Sequence, residues 1–207
     1  KNKVQLLIDT KADELSIVRA LENWLPLNVN KDKTDIYLFY SGHGLPSPDG
    51  NTLYVLPYGV DKDFLDRTAI SQSTIISAIK NVSPKSATLF LDSCYSASTR
   101  TGKTLMASAR PLVITKVEQK YPDNFTVLSA SSPDQISFSN PSLRHGIFSF
   151  YLMKGLEGKA DINKDGKIKV KELDKYLQNN VSRSALSMNK RQTPQVVGNL
   201  EMIIVNQ

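Results

Sequence analysis

Two short apolar runs, each followed at once by a polar loop, constrain the fold of this chain more than any other feature. The first run, residues 36–40, leads into Ser41-Gly42-His43-Gly44, and the second, residues 87–91, leads into Asp92-Ser93-Cys94. Short apolar runs bounded by turn residues are typical of buried parallel strands. Functional sites in open α/β sheets lie at the carboxyl ends of the strands. We therefore expect the two loops to meet at one edge of one sheet.

Segments with helical periodicity separate the predicted strands. The residues predicted to face inward are Leu15, Val18, Leu21 and Leu25 in a first helix, opened by a capping box at Thr10 and Asp13, and Ile75, Ile76 and Ile79 in a second helix that begins at Ser71. Parallel strands require crossovers of this kind. The expected fold class is α/β, with a mainly parallel sheet flanked by helices on both faces.

The remaining pattern predicts further elements of one domain spanning residues 1–207. Strands are expected at residues 4–8, 53–57, 125–129 and 200–205, and helices at about 146–156 and 170–181. The helix at 146–156 is expected to bury Ile147, Phe150, Tyr151 and Met153. Residues 1–98 carry the two polar loops, residues 99–123 form a long loop, and residues 124–207 complete the domain.

Composition excludes several classes of protein. The net charge of +6 comes from basic residues that are spread along the chain, so we expect no nucleic-acid binding. No apolar run approaches the roughly 18 residues of a membrane span. A single cysteine cannot form an internal disulfide, and residues 1–5 are not a signal peptide, so a cytoplasmic location is expected.

Cys94 and His43 are a candidate nucleophile and base. Acyl transfer needs a nucleophile, a group that moves protons, and donors for the oxyanion, for which the amides of Gly44 and Cys94 are the candidates. The alternative is that Cys94 is a small buried apolar residue and His43 an ordinary loop residue. Cys94 follows two polar residues at a strand end, which is an unfavourable place for a core side chain. His145 is a second candidate base, but we favour His43 because it alone is predicted to share the sheet edge with Cys94.

These motifs resemble those of the caspase-like cysteine peptidases, in particular the metacaspase and bacterial caspase-like branch. His43 lies 51 residues before Cys94, and about 50 residues separate the two in caspases. The resemblance covers about residues 4–158 and implies a caspase-like fold with a His43/Cys94 dyad. Two features depart from the family pattern: Ser96 stands where glycine is usual, and the strand and helix that normally precede the segment at 4–8 are not seen.

The resemblance also implies a substrate preference. Metacaspase-like enzymes cut after Arg or Lys and use acidic residues to bind that side chain. Asp92 matches this pattern, and residues 132–137 resemble the second acidic segment of the family, which would bring Asp134 beside Asp92. The alternatives are that Asp134 only begins a turn and that Asp92 caps the loop of Cys94. Family members often cut themselves in the loop equivalent to 99–123, where the candidate sites are Arg100, Lys103, Arg110, Lys116 and Lys120.

Residues 161–172 fit the twelve-residue calcium-loop pattern at every defined position. The predicted ligands are Asp161, Asn163, Asp165, the carbonyl oxygen of Lys167 and bidentate Glu172. Four lysines inside the loop oppose a divalent cation, and the same pattern can form a metal-free helix entry. No cofactor is needed for the dyad chemistry.

The sequence thus predicts a cysteine endopeptidase that cuts protein or peptide substrates after Arg or Lys. One alternative is a caspase-like interaction or regulatory module with an idle dyad. Another is a calcium-responsive binding domain.

Overall fold

A computed structural model describes residues 3–47, 49–93, 121–132, 135–140 and 143–206. Its helices are α1 (Glu14–Arg19), α2 (Leu25–Asn28), α3 (Leu65–Thr68), α4 (Gln72–Asn81), α5 (Ile147–Lys154) and α6 (Val170–Leu186). Its strands are β1 (Asp35–Ser41), β2 (Gly44–Pro46), β3 (Leu53–Val55), β4 (Ile70–Ser71), β5 (Ser86–Asp92), β6 (Phe125–Ser129), β7 (Ser139–Asn140), β8 (His145–Gly146), β9 (Lys167–Lys169), β10 (Gln195–Gly198) and β11 (Ile203–Asn206).

The central sheet has four strands in the order β1-β5-β6-β10. Strands β1, β5 and β6 run parallel, and β10 is antiparallel to β6. Both apolar runs that defined the sequence pattern are therefore neighbouring strands of one sheet. The predicted mainly parallel sheet is confirmed.

Helices cover both faces of this sheet. On one face, residues of α2 and α4 pack with inward residues of β1, β5 and β6; these include Leu25, Ile75, Ile79, Leu89 and Val127. On the other face, α5 and α6 pack over Phe90 and Leu128. Phe148, Leu173 and Leu177 are almost completely buried there, and each such side chain contributes about 1.5–3 kcal/mol of burial free energy. The expectation of an α/β fold with helices on both faces is confirmed.

The helix caps match the sequence in one case and differ in another. Ser71 caps α4 and accepts a hydrogen bond from the amide of Thr74 at 3.0 Å, as predicted. The predicted cap of α1 at Thr10 is wrong, because Asp13 is the N-cap and accepts from the amide of Ser16 at 2.9 Å. Leu15, which was predicted to face inward, is 55% exposed, so that prediction is wrong.

Some predicted elements are absent or lie elsewhere. Residues 4–8 form no strand, so that prediction is wrong; no described strand lies beside them, and Val4, Leu6 and Ile8 are exposed. The terminal strand β11 pairs with β9 in a separate two-stranded sheet, whereas the unpredicted β10 completes the central sheet. In α5, Ile147, Phe148 and Leu152 are buried and Met153 is exposed, so the predicted inward face is only partly correct.

A small antiparallel sheet, β2-β3-β4, follows the first polar loop directly and holds it against the central sheet. It contains the strand predicted at residues 53–57. Within the described ranges, no helix has the length and apolar character needed to cross a membrane.

Candidate active site

The ends of β1 and β5 are aligned residue for residue. Ser41 is in register with Asp92, and the amide of Gly42 donates to the carbonyl oxygen of Asp92 at 3.3 Å. In the sequence, His43 comes two residues after the first member of this pair and Cys94 two residues after the second. Cys94 lies outside the described residues. The described strand register therefore supports the predicted proximity of the two loops but gives no distance between the sulfur and the imidazole.

The backbone of His43 is held by two hydrogen bonds. Its carbonyl oxygen accepts from the amide of Leu56 at 2.9 Å and from the hydroxyl of Tyr40 at 2.7 Å. The Tyr40 ring lies so close to Gly42 that a Cβ atom at position 42 would be 2.5 Å from the phenolic oxygen. A side chain at position 42 would therefore displace the Tyr40 ring. The His43 side chain itself is exposed.

The amide of Gly44 is the first of the two predicted oxyanion donors. Gly44 is opposite Val55 in the antiparallel pairing of β2 with β3. The adjacent pair is His43 with Leu56, and it is a hydrogen-bonded pair because the amide of Leu56 donates to the carbonyl of His43. Because hydrogen-bonded and non-hydrogen-bonded pairs alternate, the N–H of Gly44 points away from β3. The second predicted donor, the amide of Cys94, lies outside the described residues.

Asp92 is completely buried at the end of β5. Its Oδ1 accepts a hydrogen bond from the hydroxyl of Ser137 at 2.7 Å, and its Oδ2 accepts from the hydroxyl of Ser149 in α5. Gly146 lies directly against the carboxylate, since a Cβ atom there would be 2.4 Å from Oδ2. Sequence reasoning found Asp92 but missed Ser137, Ser149 and Gly146, which carry no local signal for this contact.

A buried glutamine fixes the segment that carries Ser137. Gln192 is 1% exposed, accepts from the amide of Phe138 at 2.9 Å and donates to the carbonyl of Ala130 at 3.0 Å. Ala130 directly follows β6, so Gln192 links the Ser137 segment to the end of a central strand. The other predicted acid, Asp134, lies outside the described residues, as do Arg100, Lys103, Arg110, Lys116 and Lys120.

Ser93, directly before Cys94 in sequence, is 1% exposed. Its hydroxyl has no hydrogen-bond partner among the residues that the structure describes. A buried hydroxyl in that state is destabilising by about 1–3 kcal/mol. Ser93 differs in this respect from Ser137 and Ser149, whose hydroxyls both donate to Asp92.

His145 is closer to the site than its place in the sequence indicated. It is exposed, lies in β8 opposite Asn140, and directly precedes the Gly146 that touches Asp92. Its strand β8 belongs to a separate two-stranded sheet with β7, so the choice of His43 as the base stays a prediction. His43 still follows the strand that is in register with β5, whereas His145 follows a short hairpin.

The carboxylates of the predicted calcium loop make hydrogen bonds to backbone amides. Asp161 accepts from the amides of Asp165 and Gly166, and Asp165 accepts from the amide of Lys167, which lowers the pKa of Asp165. Glu172 accepts from the amide of Lys169 at 3.0 Å and so caps α6. In the described parts of the chain, no three His, Cys, Asp or Glu side chains converge as a metal site. Calcium binding stays a prediction.

The family model for the caspase domain matches residues 3–202. The chain belongs to the caspase-domain family. The caspase domain defines a caspase-like cysteine peptidase family, and its fold accounts for the mainly parallel sheet and the helices on both faces. In this caspase domain, the aligned ends of β1 and β5 come two residues before the two candidate dyad residues in the sequence.

Solved structures share the fold, and one of them illustrates the similarity. It is the crystal structure of a protein from Geobacter sulfurreducens that is 16% identical, with a TM-score of 0.59, over 96% of this chain and 80% of that chain. At this identity the similarity concerns the fold alone. No curated protein matches the chain.

Proposed function

We propose that this caspase domain is a cysteine endopeptidase in which Cys94 is the nucleophile and His43 transfers the protons. The single observation that carries the proposal is the register of Ser41 with Asp92, because the two candidate groups follow these residues by the same number of positions. The exposed imidazole of His43 and its clamped backbone also support this role.

The proposed reaction has two stages. The Cys94 thiolate attacks the scissile carbonyl carbon, a C–S bond forms, and the carbonyl electrons move to oxygen, where the amides of Gly44 and Cys94 donate to the oxyanion. The C–N bond then breaks as His43 gives a proton to the leaving amine. Water next attacks the thioester carbonyl carbon while His43 accepts its proton, and the C–S bond then breaks, which releases the carboxylic acid and regenerates the Cys94 thiolate.

The proposed substrate has Arg or Lys before the cut bond. The Asp92 carboxylate supports this preference because it lies at the end of β5, two residues before Cys94 in the sequence, where the hydroxyls of Ser137 and Ser149 donate to its two oxygens. A carboxylate in a pocket favours a cationic side chain and disfavours an acidic one. Asp134 is the second proposed acid.

A peptide panel tests both parts of the proposal. Fluorogenic peptides that differ only in an Arg, Lys or Asp residue before the cut bond are incubated with the full chain and with Cys94→Ala. We expect the chain to cleave the Arg and Lys peptides and a thiol alkylator to block cleavage, and we expect Cys94→Ala to be inactive. An unchanged Cys94→Ala enzyme would refute the dyad, and an inactive chain would favour the idle interaction or regulatory module.

Self-processing is proposed for the loop at 99–123, with cleavage after Arg100, Lys103, Arg110, Lys116 or Lys120. Intact-mass spectrometry of purified protein, beside Cys94→Ala, measures it directly. We expect fragments ending at one of these residues only when Cys94 is present. Identical intact masses after prolonged incubation would contradict the proposal.

A further inference from the structure

We infer that Ser137 and Ser149 are positioning residues for substrate selection, and that they fix the Asp92 carboxylate against Gly146 so that it can receive a basic side chain. This inference rests on the proposed function, since it assumes that Asp92 binds the residue before the cut bond. Ser137, Ser149 and Gly146 thus join Asp92 as residues that determine the specificity.

The two serines hold the carboxylate from different elements. Ser137 lies in the segment before β7 and bonds Oδ1, whereas Ser149 lies in α5 and bonds Oδ2. One hydrogen bond to each oxygen fixes the plane of the carboxylate as well as its position. Because the three residues come from three separate parts of the fold, this geometry depends on the packed structure and not on local sequence.

The Ser137 side of this arrangement is itself supported. Ser137 is completely buried, and the next residue, Phe138, donates its amide to Gln192. The amide of Thr193 donates to the side chain of Gln135 at 2.7 Å. These bonds hold both ends of the short segment 135–138 and so limit the movement of the Ser137 hydroxyl.

The Ser149 side is closer to the surface. Ser149 and Gly146 are both half-buried, whereas Asp92 has no exposed area. Gly146 has no side chain to separate its backbone from Oδ2. In the inferred arrangement, a substrate side chain approaches the carboxylate from this partly exposed end of α5.

The test compares two peptides that differ only in charge, one with arginine and one with uncharged citrulline before the cut bond. The wild-type chain, Ser149→Ala, Ser149→Thr and Ser137→Ala are assayed, with Ser187→Ala at the exposed end of α6 as the control. We expect Ser149→Ala and Ser137→Ala to lower the arginine preference in kcat/KM about tenfold, mainly through KM, since each removes a hydrogen bond to a charged group. We expect Ser149→Thr to retain the arginine preference because threonine keeps the hydroxyl.

The outcomes separate this inference from the proposed function. An equal fall for both peptides, or an unchanged preference in both alanine variants, would overturn the positioning role even if the wild type cleaves after arginine. A wild type that cleaves the citrulline peptide equally well would overturn the proposed specificity, and the inference with it. If Ser137→Ala does not fold, Ser149→Ala still decides, because alanine is favourable in a helix.

Discussion

The hydroxyl of Tyr40 lies 2.7 Å from the carbonyl oxygen of His43, so a residue inside β1 holds the backbone of the proposed base. The phenolic oxygen of Tyr40 also accepts from the amide of Leu56 at 3.1 Å and lies 3.1 Å from the carbonyl oxygen of Leu56. One phenol therefore links the end of β1 to the residue that follows β3. This link restrains the backbone of His43, whose flanking glycines add little stiffness of their own.

We expect Tyr40→Phe to lower kcat about tenfold while KM changes less than twofold. The ring still packs against Gly42, but the His43 carbonyl loses one of its two described partners, and misplacement of a catalytic group by about 1 Å can cost up to a hundredfold in rate. Steady-state kinetics with an arginine peptide measure the effect. A rise in KM at constant kcat would show that Tyr40 acts on substrate binding instead.

We expect Gly146→Ala to abolish the preference for basic residues. A methyl group at position 146 would lie 2.4 Å from Oδ2 of Asp92, so the carboxylate must move away from its serine partners. The backbone of Gly146, with φ −57° and ψ 140°, is accessible to alanine, so the effect is steric and local. The ratio of kcat/KM for arginine and citrulline peptides should fall toward one. Retention of the wild-type ratio would contradict the placement of the substrate side chain near Gly146.

We expect Ser93→Ala to leave the free energy of unfolding unchanged or to raise it by up to about 1 kcal/mol. The hydroxyl removed is buried and has no partner among the described residues, so its loss relieves a desolvation cost. Urea denaturation measures this, with Ser137→Ala as the matched buried serine whose hydroxyl is bonded. A loss of stability as large as that of Ser137→Ala would show that Ser93 has a partner that the described residues do not include.

The sequence predicted the two strands that precede the polar loops because the signal for each strand is local. The runs at residues 36–40 and 87–91 are β1 and β5, and their polar ends begin where the strands finish. The exposure of Tyr37 and Phe39, 52% and 54%, was not predictable in this way. The exposure arises because β1 is an edge strand of the described sheet. The residues of a strand do not reveal which strands will lie beside it.

The partners of Asp92 were not predictable for the same physical reason. Ser137 and Ser149 are 45 and 57 residues away in the chain, and their positions follow from the packing of α5 over the sheet. A serine in the sequence gives no signal of such a distant contact. The close approach of Gly146 likewise becomes visible only when the fold is assembled.

We expect Glu172→Ala to lower the free energy of unfolding by about 0.5–2 kcal/mol, the range for a lost helix cap. Glu172 is 7% exposed and accepts from the amide of Lys169 at the start of α6. Glu172→Gln keeps the acceptor and should lose less. Urea denaturation measures both variants, and equal losses would contradict the capping role.

The wild type and Glu172→Gln also test the calcium prediction. Calorimetric titration of the wild type and of Glu172→Gln with calcium asks whether the loop at 161–172 binds the ion. If it does, heat is released or absorbed by the wild type and is reduced in Glu172→Gln, because the bidentate ligand is lost. The absence of heat at millimolar calcium would remove the metal from the account of this loop.

The hydrogen bond from Tyr54 to Asp66 should make the small sheet beside His43 sensitive to alkaline pH. This bond, followed by burial, raises the pKa of Tyr54 to about 12, compared with 10.0 for a free tyrosine. Because the folded pKa lies above the unfolded one, the stabilisation is fully present below pH 10 and is lost as the pH rises toward 12. We expect the difference in unfolding free energy between the wild type and Tyr54→Phe, measured by urea denaturation, to be constant from pH 7 to 9 and to shrink above pH 10. Other groups titrate equally in both proteins and cancel in the difference. A difference that stays constant to pH 11 would show that the phenol and the carboxylate are not coupled.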